Sequence, residues 1–353
     1  MSKNEKTLEK KTEIPSEISS EIQKSDQKPG PKPIKNLILS GGSSKGFSYI
    51  GVLKALEENN LIGQIETIAT ASIGSLFGLL IVLGYTSSEM AHILLHIDLD
   101  LLHSINGESI INLVNDFGLD NGFNVETILS IMLEAKIPNK PGNLITFQDL
   151  WNYKKIKLIV MGSKLFAGHM EGVEYNHLNH PNMPVVKAVR ISVSIPPVFK
   201  PLEGIDHHLM DGGIVNNYPI DLFKDQLDQT LGVLCLTRPN KRKCENIYEV
   251  YRSIIGYLTS KSSREKREIY KDHTIVVESN LSVFEIFNLN SDVKMSLVNL
   301  GYQLARQFLS LKGMTLDVPN DVPQVMNPHI ILKRVNERLG KPKNPNPGHP
   351  AKN

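Results

Sequence analysis

Three short stretches of the chain hold residue types that acyl chemistry needs. In TASIGS, residues 70–75, Ser72 and Gly74 stand between an apolar stretch and the run LFGLLIVLG. A serine at a strand-to-helix turn is exposed at the C-terminal edge of a sheet, and the dipole of the next helix favours an anion there. Taken alone, the same serine reads more readily as a helix N-cap, and Thr70 stands where a strict G-x-S-x-G motif has glycine. In SGGSSKG, Ser40–Gly46, adjacent glycines let backbone N–H groups converge on a phosphate or an oxyanion. This is not a Walker A loop, because Phe47 follows Gly46 where the lysine belongs, and it is not G-x-G-x-x-G. The plain alternative is a tight strand-to-helix turn. In HHLMDGGIVNNYP, residues 207–219, Asp211 precedes Gly212 and Gly213. A carboxylate on a glycine turn can approach another loop closely, although Asp-Gly is also an ordinary turn signal.

Other candidates are less pointed. His207 or His208 would supply the histidine of a Ser-His-Asp triad, but both read better as turn residues. His92 and His96 lie at i and i+4 in HILLH, half of a metal site, without the Glu of H-E-x-x-H. Asp98 and Asp100 read as a solvated helix end. Cys235, in an apolar run, and Cys244, in a basic loop, are too few for a disulfide framework and read as free thiols of a reducing compartment.

The elements that must position these residues follow from apolar patterning. IKNLILSGG is a short buried strand feeding a glycine loop, and FSYIGVLKALEENNLIG an amphipathic helix. IETIATAS is a second strand, and IGSLFGLLIVLG a nearly all-apolar helix. Strand–helix–strand–helix alternation implies a parallel sheet with helices on its faces. Residues 86–150 read as mostly helical. KIKLIVMGSKL, DQTLGVLCLT and HTIVVES read as further strands. EVYRSIIGYLTSKSSREKREIYKD and SDVKMSLVNLGYQLARQFLSL read as amphipathic helices. The apolar run Ile73 to Tyr85 is shorter than the roughly 20 residues of a bilayer span and reads as a buried helix.

The chain has 353 residues, 41% hydrophobic and 22% charged, with a formal net charge of +2. That is enough chain for a substantial core and gives no electrostatic case for a nucleic-acid partner. Residues 1–33 are charged, poor in large apolar residues and without a signal-peptide core, so they read as a disordered tail. Residues 34–312 read as one α/β domain, 313–338 as a C-terminal extension and 339–353 as a second open tail. The expected location is intracellular, with peripheral contact to membranes.

The order of the three motifs resembles the patatin-like phospholipase family. GGSSKG is similar to that family's oxyanion loop, with Gly41, Gly42, Lys45 and Gly46 in matching places and Ser43 where a third glycine is usual. Ser72 and Gly74 match the nucleophile and the glycine after it, and Thr70 replaces the first glycine. AVRISVSIPPVFKPL, residues 188–202, resembles the Arg-x-Ser-x-x-x-Pro-x-x-Phe segment that precedes the aspartate. Asp211-Gly212-Gly213 matches the aspartate motif itself, with Asn217 and Pro219 downstream. TFQDL and the NLGYQLARQFL helix are also similar, so the resemblance covers roughly residues 34–312.

The resemblance implies a three-layer α/β/α fold with a central, mostly parallel sheet. It implies lipid acyl hydrolysis, on phospholipids or acylglycerols, by a Ser72–Asp211 dyad through an acyl-enzyme. The N–H groups of Gly42 and Ser43, in a loop shaped by Gly41, would hold the oxyanion. It implies no cofactor and no metal. Lys45 would bind the lipid phosphate or steady the loop; a solvated surface lysine is the third possibility. A catalytically weak lipid-binding or scaffold protein, or an esterase or thioesterase of small acyl groups, are the alternatives. The substrate would be met at a membrane or micelle, with apolar residues of the helical region 86–135 as candidate contacts. The oligomeric state is left open.

Overall fold

The protein is described by a computed structural model covering residues 32–97, 113, 116–239, 241–281, 289–316 and 327–340. Most of the expected tails, Asp98, Asp100 and much of the helical region after His96 lie outside these residues. The described strands are β1 (Asn36–Leu39), β2 (Thr67–Ala71), β3 (Lys157–Phe166), β4 (His169–Tyr175), β5 (Leu202–Glu203), β6 (His208–Asp211), β7 (Thr230–Thr237) and β8 (Thr274–Ser279). The described helices are α1 (Ser48–Glu58), α2 (Ile73–Val82), α3 (Ser87–His96), α4 (Phe123–Lys136), α5 (Phe147–Lys154) and α6 (Val185–Ser192). They continue with α7 (Gly213–Asn216), α8 (Ile247–Ile269), α9 (Ser291–Leu311) and α10 (Pro328–Leu339).

β1 lies between β2 and β7, parallel to both, and β8 extends the parallel run beyond β7. Leu37, Ile38 and Leu39 are all buried, because a parallel strand is covered on both faces; hence its unbroken apolar sequence. On one face Leu37, Leu39, Ile68 and Val160 join the core formed with α1, α2 and α9. On the other, Ile38, Ala69, Ile159 and Leu234 pack against Tyr218, Ile220 and Phe223. The fold is therefore α/β, a mostly parallel sheet flanked by helices. α10 buries Ile331 and Val335 in the first of these cores.

The strand that brings the candidate residues together is β3. Its first half pairs with β2 in parallel, ending with Ala71 opposite Met161. Its second half pairs with β6 in antiparallel fashion, ending with Asp211 opposite Gly162. β4 pairs with both regions, from Val160 to Phe166. A strand has two edges, so β2 and β6 must share the edge opposite β4. They run head to head along it and meet between Met161 and Gly162. The last residue of β2 precedes Ser72, and the last residue of β6 is Asp211. Pairing register alone thus delivers serine and aspartate to one point.

The antiparallel part was not legible in the sequence. β4, HMEGVEY, is largely exposed and polar, and β6 has only 4 residues, too few for an alternation to register. α6 enters the motif AVRISVSIPPVF from its N-terminal side and overlaps it only at Ala188–Ser192, a stretch that reads as a signature before it reads as a helix.

Candidate active site

Ser72 closes β2 and precedes α2 with φ 49° and ψ −130°, a conformation that side-chain-bearing residues rarely adopt. Its hydroxyl makes no capping hydrogen bond, so the N-cap reading of this serine does not hold. The hydroxyl donates instead to Asp211 Oδ2 at 2.7 Å. The other carboxylate oxygen accepts from the Gly213 N–H at 2.7 Å, which fixes the plane of the carboxylate. Asp211 is almost fully buried, and desolvation pushes its carboxyl up to about 7 against the opposing pull of the Ser72 and Gly213 hydrogen bonds.

The strained serine backbone is held by a row of hydroxyls. Ser72 N–H donates to Ser192 Oγ at 3.0 Å, and Ser192 Oγ lies 2.8 Å from Ser75 Oγ. Thr70 Oγ1 lies 3.1 Å from Ser75 Oγ and 2.8 Å from the Ile159 carbonyl. A carbonyl only accepts, so Thr70 gives its single proton to Ile159. Ser75 then donates to Thr70 and Ser192 donates to Ser75, leaving Ser192 a lone pair for the Ser72 N–H. Ser75, Ser192 and Thr70 are all buried, where an unmatched hydroxyl would be costly. Thr70, in the place of the motif's first glycine, ends this row. Space for it comes from Gly78 in α2: a Cβ there would lie 2.5 Å from the Thr70 methyl.

The glycine loop approaches from β1. Gly41 N–H donates to the Asn217 carbonyl at 3.0 Å, so it shapes the loop and is not free for an oxyanion. A Cβ at Gly41 would fall 2.1 Å from Asn217 Oδ1 and 2.9 Å from Ser72 Cβ, so only glycine lets loop and serine meet. Among the described residues the Gly42 N–H has no acceptor. Ser43 takes φ 52°, the left-handed conformation that its missing glycine would adopt freely. The strain of that substitution is about 1 kcal/mol.

Lys45 is not a surface lysine. It is buried, and its Nζ donates to Thr237 Oγ1 at 3.1 Å and to the Leu281 carbonyl at 3.0 Å, tying the loop to the end of β7. Cys235 is a free, buried thiol whose pKa burial raises. In the Arg-x-Ser segment, Arg190 is buried and donates to the carbonyls of Asn121 and Lys200, while Ser192 accepts from the Ser72 backbone N–H. This role of the segment, and the partnership of Thr70 with Gly78, could not be read from sequence because both depend on contacts across elements.

Gly41, Gly42, Ser43, Lys45, Ser72 and Asp211 all line one cavity of about 860 Å³, walled on another side by α8. Gly46, Gly74, Gly212 and Gly213 sit behind it as packing positions. The histidines stand elsewhere: His207 Nδ1 meets Asp206 at 2.7 Å, and His208 lies beside Glu203 and Phe117. Among the described residues no histidine is hydrogen-bonded to Ser72 or Asp211. His92 stacks near His96 and His329, and no group of described residues is arranged to hold a metal ion. No helix among the described residues is long and apolar enough to cross a membrane.

Residues 37–224 match the family model described as patatin-like phospholipase. That span is more than half of the chain, and the protein belongs to this family. It is 29% identical over 293 residues to R571, an uncharacterized protein of Acanthamoeba polyphaga mimivirus, covering 78% of this chain and 93% of that one. It is 29% identical over 194 residues to the probable lipid hydrolase 463L of Invertebrate iridescent virus 6, covering 53% of this chain and 62% of the relative. Among solved structures, VipD from Legionella pneumophila has the same fold, with a TM-score of 0.53 at 16% identity over 80% of this chain and 67% of that one. Family and relatives support lipid acyl hydrolase activity in general.

Two stability measurements follow from this geometry. Gly78→Ala should destabilise by about 1–3 kcal/mol in urea unfolding, because the clash with Thr70 outweighs a helix-propensity gain of about 0.5–1 kcal/mol. Adding Thr70→Gly should recover part of that loss, a coupling of about 1–2 kcal/mol between the two sites. Asp211 binds its proton more tightly folded than unfolded. The stability it contributes is therefore full below the ordinary aspartate range and is lost as pH rises through about 7. Asp211→Asn should consequently gain stability relative to the parent, by a few kcal/mol, between about pH 4 and pH 8.

Proposed function

We propose that the protein hydrolyses fatty-acyl esters of phospholipids or acylglycerols with Ser72 as nucleophile and Asp211 as its base. The observation that carries this reading is the 2.7 Å hydrogen bond from a strained serine to a desolvated carboxylate that both line a cavity of ligand-binding size. Ser72 Oγ attacks the ester carbonyl as its proton passes to Asp211 Oδ2. The C–O bond of the tetrahedral intermediate breaks, the alcohol leaves with a proton, and the acyl group stays on Ser72. Water, deprotonated by Asp211, then releases the fatty acid. The N–H groups of Gly42 and Ser43 would hold the developing oxyanion, one such donor being worth about 3 kcal/mol in the transition state.

A carboxylate at the usual aspartate pKa is a weak base. Burial brings Asp211 near neutrality, where a base is both ionised and able to take a proton. Its second oxygen stays anchored on Gly213, so the basic lone pair remains aimed at Ser72.

The test is release of fatty acid and lysolipid from mixed phospholipid vesicles and from a triacylglycerol emulsion, read by mass spectrometry. Ser72→Ala should reduce release to background and Asp211→Asn should lower kcat by about 10²–10⁴-fold, both proteins remaining folded. For the parent, kcat/KM should rise tenfold per pH unit below about pH 7 and level off above it, since only ionised Asp211 accepts the proton. Equal release by all three proteins would remove the dyad reading.

A further inference from the structure

α8 is an amphipathic helix turned the unusual way. Its 23 residues wall the cavity with Glu249, Ser253, Gly256, Ser260 and Arg264, spaced along one side. The side packed inward is polar, with Thr259 and Ser263 buried. Tyr251 and Ile255 are half-buried, and other apolar residues lie outside. Ile247, Ile254 and Leu258 are 83%, 53% and 50% exposed, and Val250 and Tyr257 are exposed beside them. Positions 247, 250, 254, 257 and 258 repeat with helical period, so they form one stripe. Such a pattern in sequence suggests a core-facing helix; the structure turns this stripe to solvent. Single exposed apolar residues are ordinary, but a continuous stripe marks a contact surface.

The charge around the stripe says what the contact is. From Arg238 to Lys261 the chain carries six basic residues and two acidic ones. Arg238, Lys241, Lys243 and Lys261 are exposed. Both acidic residues are already engaged by a base: Arg242 Nη1 lies 2.8 Å from Glu249 Oε2 and 3.9 Å from Glu245 Oε1. Arg238, Lys243 and Lys261 also line the cavity, so net positive charge lies on the same helix and the segment leading into it, which is complementary to acyl chains beneath anionic headgroups. The helix is too polar to span a bilayer, so it would lie in the plane of the interface.

We propose that this side of α8 docks the protein on an anionic phospholipid surface, with the apolar stripe in the headgroup–acyl boundary. Tyr257 belongs both to the stripe and to the cavity lining, so it joins the docked face to the chamber that holds Ser72. The use of this contact rests on the acyl-hydrolase reading; the binding itself does not. Much of the helical region 86–135, the other candidate contact, lies outside the described residues; of its described apolar residues, Phe117 and Phe123 are exposed and most others are in the core.

The test uses the full chain carrying Ser72→Ala, so that vesicles are not consumed. Co-sedimentation with phosphatidylcholine–phosphatidylglycerol vesicles should be at least ~10-fold tighter than with phosphatidylcholine alone, and the preference should shrink as salt is raised. I254D/L258D should weaken binding to the mixed vesicles at least ~10-fold. K241E/K243E should remove the anionic preference, by about fivefold per lysine. Neither Ile254 nor Leu258 lines the cavity, so with Ser72 restored I254D/L258D should still cleave a soluble short-chain ester, which also shows that it is folded. Ile247→Asp, in the first turn, repeats the test independently. Vesicle binding that survives all of these substitutions would overturn the proposal. So would an apolar stripe whose loss turns a lipid-free dimer into a monomer, since a second copy would then be its occupant. If the parent cleaves no ester at all, the hydrolase reading fails while the vesicle result still decides the docking.

Discussion

The site depends on one constraint of strand pairing. β2 and β6 share a single edge of β3 and run toward each other, so their ends meet where Met161 gives way to Gly162. Parallel pairing on one side of that point and antiparallel pairing on the other bring two residues 139 positions apart within a hydrogen bond. A shift of either strand by one residue would turn its side chains to the opposite face and separate serine from aspartate. Everything else near the site secures this meeting: Ser163 Oγ donates to the Asp211 carbonyl at 2.9 Å, and Asp211 N–H donates to the Ser194 carbonyl at 3.0 Å.

The electrostatics follow from the same placement. Two strand ends closing on each other exclude water, and the carboxylate caught between them loses solvation. The hydrogen bonds from Ser72 and Gly213 recover only part of that loss, so the aspartate is left more basic than it would be in water. Strain is stored beside it in the positive φ angles of Ser72 and Ser43. Both are local costs of about 1–3 kcal/mol, tolerable only because buried packing on two sheet faces surrounds them. The hydroxyl row from Ile159 to Ser72 shows how a departure from a motif can be absorbed. Thr70 fills the volume that Gly78 vacates and adds a polar link that glycine lacks.

Much of this was legible in the residues. The parallel strands announced themselves because burial on both faces makes unbroken apolar runs, as in NLIL and LGVLCLT. Ser72, Asp211 and the Gly41–Ser43 loop were visible as chemistry-bearing types at turns, and the structure draws them to one cavity. Hidden were the features that depend on distant contacts. Lys45 stood open between binding a phosphate, steadying the loop and lying in solvent, and its bonds to Thr237 and Leu281 tie the loop to the end of β7. Ser192 gave no sign that it serves another serine's backbone. α8 was recognisable as an amphipathic helix, but periodicity alone does not tell which side faces the solvent.

The central claim is that Asp211 makes Ser72 nucleophilic, and a serine-reactive phosphonate interrogates that step without any assumption about the lipid. Its rate of attachment would be followed against pH, with the adduct located by mass spectrometry, in the parent and in Asp211→Asn. The account predicts an adduct on Ser72 whose rate of formation rises to a plateau through about pH 7 in the parent and is slow and nearly flat in the variant. An adduct on another residue, or equal labelling of parent and variant across that range, would contradict it.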